Sequence, residues 1–326
     1  MFALAMYRIA QPFESESRVG AIIDSTRLID LRVAIQHYRE QAFDDAQAAE
    51  IAAVRAPSSM KHFVAGGTCC FREGQTAIAA AISVDTPDTI VLRGGRSRLA
   101  FALDEVELVC PISPGKIVSA GRNYAAHQAE SSMPPADDFP RGFIRVGSSV
   151  TGPGPIPYPS ATRQLDYEVE LAVIIGRNGR DIPVDKAMDY VFGYTVHNDL
   201  SARDWQLEER KKGNHLLGKN LDATGPFGPW IIPRQFIKDP MSLDISLRVN
   251  GQRRQASNTR EMIYSIAEQV SHWSKMTLEP GDVICTGTPE GVALSHKLDS
   301  EAFYLKPGDI VEAEIEGIGT LRNVIV

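Results

Sequence analysis

The segment that decides the fold runs from residue 166 to residue 176 and reads Asp-Tyr-Glu-Val-Glu-Leu-Ala-Val-Ile-Ile-Gly. Its second half is rich in Val and Ile, which is typical of a strand that is covered on both faces. Side chains alternate along a strand, so Glu168 and Glu170 point to the same side, with their Cβ atoms roughly 7 Å apart. Two neighbouring carboxylates repel each other and are costly to bury without a positive partner. The pair therefore predicts a cation between them, and a divalent metal ion is the first candidate.

The composition indicates a globular protein of the cytoplasm. The chain has 326 residues, of which 43% are hydrophobic, enough for the core of one large domain or two. A net charge of −7 argues against nucleic-acid binding, and the one dense basic run, Arg210-Lys211-Lys212, is expected to be a solvated helix end. The four cysteines lack metal-type spacing and fit a reducing compartment. Neither a signal peptide nor a membrane-spanning run is predicted.

The chain is expected to form a small N-terminal domain, residues 1–112, and a larger domain, residues 113–326. In the first, a hairpin about residues 24–26 is followed by Ala-rich helices over 42–56 and 71–83. No constellation of chemically active residues occurs there, which favours a role as scaffold or partner contact.

The second region alternates strands and turns with a few helices. Asn250-Gly251 is the strongest short hairpin signal, and residues 201–212 read as a helix. Asn258 with Glu261 resembles a capping box at the start of a further helix. The pattern predicts an α+β, β-rich domain with mixed sheets rather than a doubly wound fold.

Asp199 follows an apolar strand, at a point where its carboxylate can reach ligands on a neighbouring strand. Its alternative role is the N-cap of the next helix, and the residues leave the two roles equally open. With Glu168 and Glu170 it would form an all-oxygen site, which suits Mg²⁺, Mn²⁺ or Ca²⁺ better than Zn²⁺. About three of six octahedral positions would then remain for water and substrate.

A candidate base lies in a third cluster, residues 121–130. If 123–130 is a helical turn, His127 and Glu130 share a face, and the carboxylate would orient the imidazole and raise its basicity. Spacing alone favours the alternative, an ordinary surface histidine with an intrahelical partner. The same ordinary role is expected for the other histidines considered, which are His215, His272 and His296.

Together these motifs resemble the fumarylacetoacetate hydrolase family, and in particular its members that act on acylpyruvates and other 2,4-dioxo acids. The resemblance extends from about Lys116 to the C-terminus. It implies that a mixed β-sandwich roll forms the catalytic domain, preceded by a small α/β domain, and that the protein is a homodimer. The motifs that carry it are Gly-Arg-Asn-Tyr-x-x-His-x-x-Glu (121–130), Gly-Pro-Gly (152–154), Glu-x-Glu (168–170), Asn-Asp-x-Ser-Ala-Arg-Asp-x-Gln (198–206), Gly-Lys (218–219) and Thr-Gly-Thr-Pro-x-Gly-Val (286–292).

The resemblance assigns roles residue by residue. It implies that the metal ligands are Glu168, Glu170 and Asp199, and that Lys219 is the active-site lysine. His127 and Glu130 match the dyad that activates water. Residues that match contacts to the substrate or its pocket are Arg122, Tyr124, Gln206 and Thr288.

The activity implied is hydrolysis of the carbon–carbon bond of a 2,4-dioxo acid to pyruvate and a carboxylate. Mg²⁺ or Mn²⁺, with Ca²⁺ as an alternative, would be chelated by the small keto-acid substrate and act as the electron sink. Alternatives within the family are an oxaloacetate-type decarboxylase and an isomerase of hydroxydienedioates. A Ca²⁺-binding module without turnover would leave Lys219 and the dyad without a role.

Several positions depart from the common family pattern. Arg145 stands where many members have Lys, and Asn220 where Ser is common. His197 and His215 replace apolar or aromatic residues, and Glu290 replaces a small one. These changes flank the pocket and leave the acyl group of the substrate open. The Pro-rich and Asp-rich segment 131–141 is expected to form part of a lid.

Overall fold

The computed structural model describes residues 1–9, 16–24, 26–83, 88–130, 138–296 and 298–326. Within it the chain divides into two units, Met1–Ile112 and Ser113–Val326. The first seven residues of the predicted lid lie outside the described residues.

The first unit combines a small antiparallel sheet with four helices among its described residues. The elements are β1 (Ala3–Ile9), β2 (Arg18–Ile22), β3 (Arg27–Asp30), α1 (Leu31–Phe43), α2 (Ala48–Arg55), α3 (Met60–Ala65), α4 (Gly67–Ser83), β4 (Thr89–Leu92), β5 (Gly95–Arg98), β6 (Ala100–Ala102) and β7 (Val106–Val109). The strand order is β6-β3-β2-β1, and β7 also pairs with β1, while β4 and β5 form a separate hairpin. The hairpin predicted about residues 24–26 is confirmed as β2–β3, although Ser25 itself is outside the described residues.

The second unit is built mainly from strands. Its elements are β8 (Ile117–Gly121), α5 (Ala125–Glu130), β9 (Arg141–Arg145), β10 (Val150–Thr151), β11 (Gly154–Ile156), β12 (Leu165–Asp166), β13 (Val169–Ile175), β14 (Val191–Asn198), β15 (Ser201–Ala202), α6 (Arg203–Lys211), α7 (Leu217–Asn220), β16 (Gly225–Pro233), β17 (Asp244–Val249), β18 (Gln252–Asn258), α8 (Ile266–Trp273), β19 (Val283–Cys285), β20 (Ile310–Ile315) and β21 (Gly319–Ile325).

Two sheets pack face to face in this unit. One runs β16-β14-β13-β19-β8-β9 and is mixed, because β19 and β8 are parallel while its other neighbours are antiparallel. The other runs β11-β21-β20-β17-β18. Strands β13 and β14 of the first sheet contact β17, β20 and β21 of the second. The predicted α+β, β-rich class with mixed sheets is confirmed.

The quoted segment forms the centre of the first sheet. All seven residues of β13 are buried, as the Val/Ile run predicts. The start of β13 lies beside the end of β14, with Val169 opposite Asn198 and Glu170 opposite His197. Because Asp199 directly follows β14, this antiparallel register brings it to the same sheet end as the two glutamates.

Two expectations about helices are wrong. Residues 42–56 are not one helix, because Asp44 adopts a left-handed conformation with φ of 49° and ends α1 there. The capping box lies at Ser265 and Glu268, which cap α8, whereas Asn258 caps a short 3₁₀ turn. The helix predicted over 201–212 begins two residues later, because Ser201 and Ala202 pair with β12.

Among the described residues, none of the helices combines the length and the apolar character that crossing a lipid bilayer requires.

Candidate functional site

Three buried carboxylates meet where β13 begins and β14 ends. One oxygen each of Glu168, Glu170 and Asp199 lies within 4.8 Å of the others. The three residues are 5%, 1% and 1% exposed. Asp199 does not cap α6, whose N-cap position is Ala202. The structure therefore brings together the three residues predicted as metal ligands, and the alternative N-cap role for Asp199 is wrong.

Part of the positive charge that this cluster requires comes from the protein. The Nζ of Lys219 lies 2.6 Å from Glu168 Oε2 and 2.7 Å from Asp199 Oδ2. Arg203 donates to the other oxygen of Glu168, and Arg145 donates to the other oxygen of Asp199. Burial alone would raise the pKa of Glu168, but the charges of Lys219 and Arg203 outweigh it and hold that pKa below its usual range.

Glu170 is the exception in this cluster. Within the described part of the chain, no cationic nitrogen lies within 4.0 Å of its carboxylate, which accepts a hydrogen bond of 3.0 Å from the Gly287 N–H. Burial and the neighbouring charge of Glu168 raise the pKa of Glu170 to about 8. Burying the two glutamates side by side therefore disfavours the charged form of Glu170, while Glu168 stays ionised.

The donor set fits a hard divalent cation. All three carboxylates offer oxygen, the ligand type that Mg²⁺, Mn²⁺ and Ca²⁺ prefer. With Asp166, which binds Arg203 at 2.7 Å, the cluster holds four carboxylates and three cations. A divalent ion held by Glu168, Glu170 and Asp199 would supply the charge that Glu170 lacks.

Lys219 is positioned by a carboxylate from the preceding helix. Glu209 of α6 accepts hydrogen bonds from three successive backbone N–H groups, those of residues 216 to 218, at 3.0, 2.6 and 3.0 Å. These are the donors at the start of α7, which carries Lys219. Burial lowers the pKa of Lys219 to about 8, although Glu168 opposes the shift.

Arg145 is fully buried beneath Asp199. Its guanidinium also donates to Thr224 Oγ1 at 3.0 Å and to Ser149 Oγ at 3.4 Å. The flat group fits because residue 225 is a glycine: a Cβ there would lie 3.0 Å from Arg145 Nε. Burial lowers the pKa of Arg145 to about 10. The unusual arginine therefore fixes one oxygen of Asp199 and leaves the other to face Lys219.

The turn after β19 is shaped around Glu170. Gly287 has φ of +95°, and a Cβ on it would lie 2.9 Å from the Asn123 Cβ, so this position favours glycine. Gln255 holds the next part of the turn, because its Nε2 donates to Thr288 Oγ1 at 2.9 Å while its Oε1 accepts from the Val169 N–H at 2.9 Å. One amide thus ties Thr288 to the strand that begins between the two glutamates.

His127 and Glu130 lie on α5, as the helical-turn prediction requires. The His127 Nδ1 is 3.5 Å from Glu130 Oε2, an ion-pair distance without hydrogen-bond geometry. Glu130 is held in turn by the Gly291 N–H, at 3.1 and 3.2 Å to its two oxygens. The spacing is therefore consistent with an oriented base, and apo sites often show such contacts longer than in the working complex.

A cavity of about 250 Å³ lies above the carboxylates. Most of the predicted site residues line it: Arg122, His127, Glu168, Glu170, Asp199, Gln206, Lys219 and Thr288. Glu130 stands behind His127, and Tyr124 is fully buried outside the lining, where burial raises its pKa. His215 also lines the cavity, edge-on to the Phe143 ring at 4.7 Å, so the pocket-flanking position implied by the resemblance holds and the ordinary surface role does not.

Sequence reasoning assigned no role to Arg203, Glu209 or Gln255. Arg203 carries a signal, because three clustered carboxylates beside a single lysine leave negative charge that another cation must balance. Glu209 and Gln255 carry none, since both act on backbone groups that only the fold brings near them.

The comparisons with known proteins agree on one family. Residues 116–326 match the model of the fumarylacetoacetate (FAA) hydrolase C-terminal domain. A mitochondrial oxaloacetate tautomerase of Xenopus laevis is 42% identical over 224 residues, which cover 68% of this chain and 69% of the relative.

Solved structures extend this similarity to the fold. A fumarylacetoacetate hydrolase from Exiguobacterium antarcticum matches with a TM-score of 0.72 and 31% identity, covering 99% of each chain. A fumarylpyruvate hydrolase from Pseudomonas aeruginosa, in complex with Mn²⁺ and pyruvate, matches with a TM-score of 0.60 and 32% identity, covering 74% of this chain and 97% of that one. The predicted family resemblance is confirmed, and with it the predicted fold type.

The first prediction concerns Glu170. Without metal, the pKa of Glu170 in the folded protein, about 8, lies above its usual value of 4.5. The folded state is therefore favoured while Glu170 is protonated, and the protein loses stability as the pH rises from 4.5 toward 8. In EDTA, the unfolding free energy of Glu170→Gln minus that of wild type should therefore increase by at least about 1 kcal/mol when the pH is raised from 5 to 8. Urea titrations measure this difference.

The same variant should lose the rise in melting temperature that Mn²⁺ gives the wild type. Glu208→Gln, which removes an exposed carboxylate of α6, is the control and should behave as wild type in both tests. A Mn²⁺ response of wild-type size in Glu170→Gln would contradict its place among the ligands.

The second prediction concerns Glu209. Glu209→Gln leaves at most one strong acceptor for three N–H groups, so the unfolding free energy should fall by about 1.5–3 kcal/mol. Urea titration of this variant beside Glu208→Gln measures the loss. An effect within about 0.5 kcal/mol of that control would show that Glu209 does not support the start of α7.

Proposed function

Because the chain belongs to the fumarylacetoacetate hydrolase family, we propose that it is a divalent-metal-dependent hydrolase of 2,4-dioxo acids, releasing pyruvate and a carboxylate. The observation that carries the proposal is that His127 and the three clustered carboxylates line one cavity. A base and a cation site that face the same space can act on one substrate.

The charges of the cluster favour an anionic substrate. When bound, a divalent cation would polarise the 2-oxo group and stabilise negative charge on the substrate oxygens. The site would then carry one positive charge in excess, since it holds four carboxylates and three protein cations. A 2-oxo carboxylate neutralises that excess, whereas a neutral ketone does not.

The chain's own residues supply the proton transfers. His127, backed by Glu130, takes a proton from water, and the oxygen of that water forms a bond to the C4 carbonyl carbon. The C3–C4 bond then breaks, its electron pair remains on C3, and a proton delivered there completes the methyl group of pyruvate. Lys219 stands beside the developing negative charge, and its lowered pKa makes it a suitable proton donor near neutral pH.

A second candidate is conversion of oxaloacetate, by tautomerisation or decarboxylation. The 42% identity to a protein described as an oxaloacetate tautomerase supports it. Tautomerisation needs a base and an acid but no attacking water. The candidates therefore differ in their products, which are pyruvate with a carboxylic acid, carbon dioxide with pyruvate, or an unfragmented isomer.

The third prediction concerns His127. His127→Ala should keep the Mn²⁺-induced rise in melting temperature and lose about 10²–10⁴-fold in kcat, the usual contribution of a general base. His62→Gln changes an exposed histidine of the first unit and should leave kcat unchanged. Turnover near the wild-type rate in His127→Ala would remove the dyad from the mechanism.

The fourth prediction identifies the reaction. A panel of acylpyruvates and oxaloacetate, assayed by product analysis with Mg²⁺, Mn²⁺ or EDTA, should give pyruvate and a carboxylate from the acylpyruvates only when metal is present. Full activity in EDTA would refute the metal requirement. Conversion of oxaloacetate alone would favour the second candidate.

A further inference from the structure

Arg210 is exposed in the last turn of α6, as the basic run 210–212 predicts, but its surroundings are not solvent alone. It borders the same cavity as the carboxylate cluster. Arg203, Gln206 and Arg210 are spaced i, i+3 and i+7 on α6, so they lie along one face of the helix. Arg203 and Gln206 are buried at the cavity floor, whereas Arg210 reaches solvent.

The cationic groups of the cavity fall into two sets. Arg203 and Lys219 contact Glu168 and are neutralised at the floor. Arg210 is different, since no carboxylate of the described residues lies within 4.0 Å of its guanidinium. Arg122 and Arg141 line the same cavity. Besides the cations of the floor, the lining thus includes three arginines, Arg122, Arg141 and Arg210, in a protein whose net charge is −7.

This placement has an electrostatic cost that the negative charge of Glu168 offsets only in part. Burial lowers the pKa of Arg210, and repulsion from Arg203 adds to the shift. A guanidinium held over a cavity in this way is suited to binding a carboxylate in a bidentate manner.

We propose that Arg210 binds a second carboxylate, at the end of the substrate remote from the 2-oxo acid group. The favoured substrates are then dianionic 2,4-dioxo acids rather than acylpyruvates with an apolar acyl chain. This inference rests on the proposed function, because it assumes that the 2-oxo acid end lies over the carboxylate cluster.

The length of α6 sets the scale of such a substrate. Arg210 is seven positions after Arg203 on α6, which corresponds to a rise of about 10 Å along the helix. The long arginine side chain can shorten this span by folding toward the floor. A substrate with an acyl chain of a few carbons between its two carboxylates can therefore reach from the carboxylate cluster to the Arg210 guanidinium.

The test compares two substrates of equal chain length, 2,4-dioxoheptanedioate and 2,4-dioxoheptanoate, with Mg²⁺. Wild type should have the higher kcat/KM for the diacid. Arg210→Gln should lose roughly 10- to 100-fold in kcat/KM for the diacid, mainly through KM, because one charge-assisted contact is removed. It should retain its kcat/KM for the monoacid, and Arg210→Lys should recover part of the loss.

Lys212→Gln is the matched control, because it removes the same charge from an exposed residue two positions along. It should change neither rate. Equal losses on both substrates in Arg210→Gln, or no loss on the diacid, would overturn the proposal.

A binding measurement separates this proposal from the hydrolase proposal. The acids 2-oxoadipate and 2-oxohexanoate lack the 4-oxo group and cannot be cleaved in this way. Calorimetry with Mg²⁺ should show tighter binding of 2-oxoadipate by wild type, and loss of that preference in Arg210→Gln. If neither dioxo acid is hydrolysed but this preference is found, the proposed reaction fails and the role of Arg210 stands. Equal binding of the two acids by wild type would refute that role.

Discussion

The burial of Glu168 and Glu170 side by side is the constraint on which the rest of the site depends. Carboxylates in an apolar core are tolerated only where cations and hydrogen-bond donors surround them. Lys219, Arg203 and Arg145 meet most of this requirement. Among the described residues, no cationic group lies within 4.0 Å of Glu170. Burial and the charge of Glu168 therefore raise the pKa of Glu170. The need for a further cation at this site therefore follows from the burial of these charges as much as from the positions of the three carboxylates.

Each of these cations is held in place in turn by further residues of the fold. Glu209 fixes the start of the helix that carries Lys219, and the glycine at position 225 leaves room for the Arg145 guanidinium. Asp166 binds Arg203 and also accepts the N–H groups of Ala293 and Leu294. The functional groups thus belong to a continuous polar network. Removing one charged group leaves its partner buried without a counter-charge.

The sequence was sufficient where chemistry follows from local periodicity. Strand alternation placed both glutamates on one side, and the helical spacing of His127 and Glu130 matches α5. Where a side chain's direction depends on tertiary packing, it was not sufficient. Arg210 lines a cavity that residues from several separate strands and helices enclose. Propensity and spacing carry no information about such neighbours.

The bridging position of Lys219 has a consequence for how readily a metal ion held by the three carboxylates would exchange. Its ammonium group lies within hydrogen-bond distance of two prospective ligands, so an incoming cation competes with a charge that is covalently tethered to the site. Such competition weakens the affinity that three carboxylates alone would give. We therefore expect occupancy to follow the free ion concentration, as for a readily exchangeable ion rather than a permanently sequestered one.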